Sequence, residues 1–419
     1  MKKNYYDVIV IGAGTAGCIA AIQAARAGAK TLLVEKNGVP GGTTTCGGVD
    51  FPGLFHAWGK QVIAGIGWEL VTKCVAAENA VLPDFTDYRQ PHWKLQVRIN
   101  HFLYSCLLDE AFAEAGVDVI YHSMPAAVIE NPDTVEVSLC GLEGISQYSA
   151  AILIDAGGDA GAVARAGYEL RRNAIRQPAT PMIRLGGYDL GNIDLELVEK
   201  TYHQAMADGH LLRTDTGMSG SMAAMLHQHG SNCIHVAVTD PTTSRGRSRT
   251  EIDGRAAVLR IYRFLRQFPG LENLRLELMA PECGIREGAT IIGATTITVN
   301  DYNQGKVWDD SLCYSFYPID LHLNDHKGLL CQPLRQGIVP TIPRSAMIPL
   351  GSQRIMAAGR CISSDQLANS ALRVQATCMA VGQTAGALAA LAARQDAIPA
   401  ELPVNMVKDL LRKHHAIVP

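Results

Sequence analysis

The chain has 419 residues, 47% of them hydrophobic, and a formal net charge of −3. That length and apolar content predict two or three domains with sizeable cores and exclude a disordered chain. The slight negative charge excludes a general attraction to nucleic acid or to an anionic membrane surface.

Eleven cysteines are scattered along the chain without a CxxC pair. They read as small buried apolar residues in a reducing compartment, so a cytoplasmic location is expected and a metal centre is not. The opening MKKNYYDVIVIGAG places lysines before an apolar run, as a secretory leader does. Asp7 at the head of that run and the spaced glycines behind it argue for a retained segment. No stretch reaches the ~18 uninterrupted apolar residues of a membrane span. The most apolar part, 376–393, is broken by Gly382, Gln383, Thr384 and Gly386.

Residues 6–11 form a continuous apolar run, the pattern of a strand covered on both faces. A tight turn, an alanine-rich helix over 18–27, a stop at Gly28 and an apolar strand over 31–34 follow. In the turn Gly12 lets the chain reverse, Gly14 lets the backbone approach a pyrophosphate, and Gly17 lets helix and strand pack closely. The helix N-terminus offers its unpaired N–H groups to the phosphates. Glu35 ends the second strand where a carboxylate holds the ribose hydroxyls. The unit is therefore expected to bind a dinucleotide, and not one carrying a 2′-phosphate.

GGTTTCGG, residues 41–48, then runs back over the same site. Its glycines admit close backbone contact, and its threonine hydroxyls suit a ribityl chain or a flavin ring. A long excursion over about 44–100 replaces the strand–helix unit that simple NAD-binding domains continue with. Cys46 stands without a second cysteine nearby, so inert packing is expected of it and a redox disulfide is not.

Two further strands end in glycine turns. One is 151–154, closing on Asp155 and Gly157-Gly158-Asp159; the other is 354–358, closing on Gly359-Arg360. A small-residue helix with Gly382 and Gly386 follows from about residue 373. Three such turns converge on one ligand at the carboxyl edge of a parallel sheet. Between them, about 168–338 interrupts the nucleotide fold as a substrate-covering domain. Its stretch 244–270 is arginine-rich and then amphipathic, expected as a helix with a solvated basic face. The predicted layout is an α/β Rossmann-like domain over 1–167 and 339–395, with a small antiparallel excursion, and a helix over 396–419.

These elements resemble the FAD-dependent oxidoreductases related to succinate dehydrogenase and fumarate reductase flavoproteins, over nearly the whole chain. The shared marks are VIGAGTAG with Glu35, GGTTTCGG, IDAGGDA, GIREGATIIG (284–293), YPIDLH (317–322), VPTIPRSAMIPL (339–350) and AAGRCISSDQLANSALRVQATCMAVGQTAG (357–386). The sequence departs from the family pattern at Gly157 and at Gly288-Ala289. The resemblance implies FAD, held at its ADP and ribityl end by Gly12, Gly14, Thr15, Ala16, Gly17, Glu35, Lys36, Gly41, Gly42, Thr43, Thr44 and Thr45. Pro125, Ala156, Gly157 and Asp159 continue the implied site, and Gly359, Arg360, Arg373 and Ala376 lie towards the flavin. No histidine stands where some relatives attach flavin covalently, so non-covalent FAD is implied.

Hydride transfer between a small organic substrate and flavin N5 needs polar groups at that atom. Arg286, Asp320, His322 and Arg373 are the catalytic candidates, with Glu287 beside Arg286 and with His56 as a weaker one. An arginine fork orients a carboxylate or carbonyl, and a histidine near neutrality exchanges a proton. In the competing view His322 is a satisfied core residue and Arg286 pairs with Glu287. The expected partners are that substrate and an unidentified electron donor or acceptor, without nucleic acid or membrane; a homo-oligomer is compatible. Two other functions stay open, an FAD protein that modifies RNA and a flavin-binding electron carrier.

Overall fold

A computed structural model describes residues 4–217, 220–324 and 328–419. Strand β1 (Tyr5–Ile11) leads through the glycine turn into helix α1 (Thr15–Arg26) and strand β2 (Thr31–Val34). Further along come β3 (Asp118–Ile120), β4 (Met124–Glu130), β5 (Val135–Gly141), β6 (Gly144–Asp155) and β7 (Ile355–Ala357). These strands make one seven-stranded sheet in the order β3-β2-β1-β6-β5-β4, with β7 paired to β6. The β3-β2-β1-β6-β7 contacts are parallel, whereas β4, β5 and the first part of β6 form an antiparallel meander.

The unbroken apolar run of β1 now has its cause. Val8 and Val10 point into a core shared with α1, while Ile9 and Ile11 point into a second core with β5 and β6. Both faces are covered, so neither can alternate with polar residues. On the first face lies α3 (Gln375–Gln395), which crosses α1. A Cβ at Gly382 would stand 2.1 Å from the Ala16 carbonyl oxygen, and one at Gly386 would stand 2.3 Å from that of Ala20. Small residues at a four-residue spacing let the two backbones touch. Among the described residues α3 is the one helix long and apolar enough to cross a membrane, and 89% of its most apolar window is buried in the protein.

A third core sits around Ile183, Tyr202, Leu226, Ile261 and Leu265. It packs the small sheet of Gly230–Ser231, Ile183–Gly186 and Arg275–Met279 against the helices Leu195–Ala207 and α2 (Ser244–Leu265). The segment 168–338 is therefore divided. Tyr302, Leu312, Ile319 and Leu334 join the first core, not this one. The arginine-rich face of α2 is likewise divided: Arg249 and Arg255 are exposed, but Arg260 pairs with fully buried Asp215 and Arg247 reaches Asp159. The tail ends in a helix, Val404–Lys413, whose Val407 and Leu411 are buried.

Candidate functional site

A single cavity of about 1360 Å³ runs from the carboxyl edge of the parallel sheet to the face of the third core. At one end lie Gly12, Gly14, Thr15 and Ala16. The turn here is set by contact: Gly12 has φ +94°, and a Cβ on Gly17 would stand 1.8 Å from the Gly12 carbonyl oxygen. Gly14 differs, because its Cβ would meet nothing nearer than the Ala156 oxygen at 3.9 Å. No side chain caps α1 at Gly14, so its first N–H groups face the cavity. Glu35 is buried; its carboxylate accepts from Ala13 N at 2.7 Å and Asn37 N at 2.9 Å and keeps lone pairs towards the cavity. GGTTTCGG lies alongside, with Gly41 N donating to Ala13 O at 2.7 Å, and Gly42 and Thr43 in the wall. Lys36, Pro125, Ala156, Gly157, Asp159, Gly359 and Arg360 line the same end.

The opposite end is walled by Arg286, Asp320, His322 and Arg373. Strand Ile319–His322 presents Asp320 and His322, and Arg373 closes the helix Gln366–Leu372 just before α3 begins. Arg373 donates to Asp320 Oδ2 at 3.0 Å, and His322 Nε2 stands 3.3 Å from the same oxygen. His322 Nδ1 is 3.1 Å from Nε2 of His235. Burial pushes Asp320 up, but His322, Arg373 and Arg286 outweigh it and hold the carboxyl below its ordinary range. Burial first, then Arg286, lowers His322 to about 4, so the ring is neutral at neutral pH.

Arg286 is only 9% exposed. Its hydrogen bond goes to the Pro178 carbonyl at 2.8 Å, and among the described residues it forms no ion pair. Glu287, its sequence neighbour, is taken by Asn173, Gln366 and the Gln177 backbone, so the Arg286–Glu287 pair of the competing view does not form. Burial and Arg373 lower the Arg286 guanidinium to about 9. Among the described residues, Arg373 Nε and Thr180 Oγ1 on this end lack a partner. Phe51, Trp93 and Tyr317 supply an aromatic wall.

A family model for FAD dependent oxidoreductases matches residues 7–411. The chain belongs to the FAD-dependent oxidoreductase family. This oxidoreductase is 32% identical over 95 residues to a tRNA uridine 5-carboxymethylaminomethyl modification enzyme of Zymomonas mobilis, covering 23% of this chain and 13% of that one. It is 31% identical over 146 residues to digeranylgeranylglycerophospholipid reductase 2 of Methanococcoides burtonii, covering 34% of each. The chain spans 12% to 34% of the length of the curated relatives it matches. A geranylgeranyl bacteriochlorophyll reductase-like structure from Thermoplasma acidophilum aligns over 98% of this chain and 82% of its own, at 14% identity and a TM-score of 0.45.

FAD is the cofactor of this oxidoreductase, and the residues present fit it. The open space at Gly14, the uncapped α1 terminus and the Glu35 carboxylate suit a pyrophosphate and a ribose. The cavity also exceeds the roughly 300–1,000 Å³ of an ordinary small-ligand pocket, as a ligand of dinucleotide size requires.

Five residues expected at FAD are not in the cavity wall. Gly17 and Gly41 are spent on the turn. Thr44 donates to Gln375 Oε1 at 2.7 Å, Thr45 donates to Pro40 O at 2.6 Å, and Ala376 N is bound to Pro52 O at 2.8 Å. Arg360 lines the cavity, yet Gly158 O, Ile285 O and Asp159 take its donors. His56 stacks on Phe85, away from the cavity. Sequence reading passed over Thr180, His235, Phe51 and Trp93, which lie in no motif and are assembled by the fold alone, and assigned no role to Tyr317 at the start of YPIDLH.

Cys46 does not line the cavity either. Its thiol is bound by Asn37 Nδ2 at 3.2 Å, and burial pushes it up from its ordinary value. Cys46→Ser is expected to leave the rate of flavin reduction within a few-fold of wild type, measured by anaerobic stopped flow. A hundredfold loss, about 2.7 kcal/mol at the transition state, would make the thiol a reacting group.

Proposed function

We propose that the protein oxidises or reduces a small organic anion by hydride transfer, in the manner of the succinate dehydrogenase and fumarate reductase flavoproteins it resembles. Arg286 is the observation that carries this reading. A guanidinium buried beside a second one, with no carboxylate of its own among the described residues, is costly unless a ligand brings the negative charge. Arg373 Nε and Thr180 Oγ1 add two unspent polar groups on the same wall. Phe51, Trp93 and Tyr317 would cover the apolar body of such a ligand.

FAD, when bound, supplies the two-electron acceptor or donor at flavin N5. The chain's own residues do the rest. Backbone N–H groups of the α1 turn and Glu35 would anchor the nucleotide, and the N-terminus of α3, uncapped by any side chain, faces the cavity at Val374 and Gln375. That positive end would stabilise negative charge on a reduced flavin. Arg286 and Arg373 would orient the substrate anion. His322, neutral and hydrogen-bonded to fixed partners, would take the substrate proton as hydride leaves, and Asp320 would hold the resulting charge. A pure electron carrier has no use for a cavity end lined by Arg286, Asp320, His322 and Arg373, which favours an enzyme with a substrate of its own.

The purified protein is expected to be yellow and to release FAD, not FMN or NAD, into the supernatant on heat denaturation. Colour retained in the pellet would refute non-covalent binding. The substrate test is anaerobic mixing of the oxidised holoprotein with a panel of hydroxy, amino and saturated acids, and of the reduced form with enoates. Bleaching or recolouring by acids but not by their amides is expected. Equal reaction of the amides would overturn the anion reading.

A further inference from the structure

His322 sits in a geometry that suits a ring carrying two protons. Its Nε2 faces Asp320 Oδ2 at 3.3 Å and its Nδ1 faces His235 Nε2 at 3.1 Å. A neutral imidazole has one N–H and can donate to only one of these acceptors; an imidazolium donates to both. His235 also hydrogen-bonds the Leu323 backbone in a way that favours a ring N–H there, which leaves Nε2 as its acceptor. It is 2% exposed and outside the cavity wall, so it touches the chemistry only through His322.

The surrounding field opposes that second proton. Arg286 and Arg373 contribute two positive charges and Asp320 one negative, while burial strips away the water. On the other side His235 is itself held neutral by burial and by Arg286. Among the described residues, Arg213 adds a positive charge that acts on His235, while His92, Tyr317 and Cys331 feel Asp320 and are all shifted towards their uncharged forms by burial. Hydrogen bonding and charge therefore pull His322 in opposite directions, and one added negative charge decides between them.

Building on the anion reading above, we infer that His322 takes up one proton from solvent when an organic anion settles between Arg286 and Arg373. The proton fills the ring nitrogen that had none, and the anion's charge cancels it, so the cluster keeps its net charge. His235 is the positioning residue that receives the Nδ1–H. Binding of the anion thereby loads the acid that reduction of a substrate needs. Above that window the ring stays neutral in the complex, and in the oxidation direction it is this neutral ring that takes the substrate proton and holds it at the same two acceptors. The sign follows from the field: a neighbouring anion raises His322 from about 4 towards its ordinary 6.5, so uptake appears between those values.

The probe is benzenesulfonate, ionised at every pH used, with benzamide as the uncharged control. Holoprotein is titrated at about pH 5.5, midway in that window. Binding is read from the flavin difference spectrum. Proton uptake is read from calorimetric heats in two buffers of unequal ionisation enthalpy. More than about half a proton per bound benzenesulfonate is expected, and none with benzamide. His322→Gln should bind the probe within a few-fold and take up no proton. Binding of benzenesulfonate without uptake, or uptake that persists in His322→Gln, overturns the inference and leaves the anion reading standing. No spectral change and no heat with benzenesulfonate overturns both.

Discussion

Arg286→Leu is expected to keep its fold and its FAD while kcat/KM for the best substrate falls by about two to three orders of magnitude. An electrostatic contact made to a charged substrate in a water-poor site contributes roughly 2.7–4 kcal/mol when deleted, which sets that range. The stability side has the opposite sign from most core substitutions. Losing the 2.8 Å bond to Pro178 costs about 1 kcal/mol. Removing a buried cation that has no ion-pair partner among the described residues relieves a desolvation penalty of similar or larger size. The melting temperature should therefore stay level or rise. Arg286→Lys keeps a charge but not the planar fork and should fall between. The checks are thermal melting, flavin absorbance per chain and the rate of flavin reduction. Early melting or loss of FAD in Arg286→Leu, with the folded fraction reacting normally, would make Arg286 a scaffold residue.

The second large effect separates cradle from scaffold within one turn. Gly17→Ala places a Cβ 1.8 Å from the Gly12 oxygen and 3.0 Å from the Ala156 Cβ. The obstacle is backbone at the end of the central strand, which has nowhere to move. The cost should exceed the usual 1–3 kcal/mol of overpacking, roughly, and the variant should express poorly and without flavin. Gly14→Ala meets nothing nearer than 3.9 Å at a negative φ, so the apoprotein should fold with an unchanged melting temperature. FAD, however, must approach the backbone where that methyl stands, and its affinity should fall on the order of tenfold or more. The measurements are melting of the apoproteins and FAD titration by flavin fluorescence quenching. Wild-type FAD affinity in Gly14→Ala would mean that the cofactor does not pass over this turn.

The nucleotide end of the site was legible in the sequence because its determinants are local. Strand β1, the glycine turn, α1 and β2 are consecutive, and hydrophobic periodicity with three glycines and one acid fixes what each must do. Gly382 and Gly386 were legible for the same reason, since a four-residue spacing of small residues already implies a close helix neighbour. Even here reading motif residues as contacts went too far. Thr44, Thr45 and Ala376 carry the pattern, yet their polar groups are spent inside the protein.

The substrate end depended on the tertiary structure. Arg286 beside Glu287 looks like an ion pair in sequence, and only the fold shows Glu287 committed to Asn173, Gln177 and Gln366 and its neighbour left uncompensated. His235 gains its meaning from a ring 3.1 Å away that is distant along the chain. Charge balance, burial and hydrogen-bond partners are properties of side chains brought together from separate segments, and no local pattern encodes them. Sequence determined the strand, glycine turn, helix and acid that a dinucleotide-binding unit requires; the packing of distant segments around one cavity decided which side chains face it.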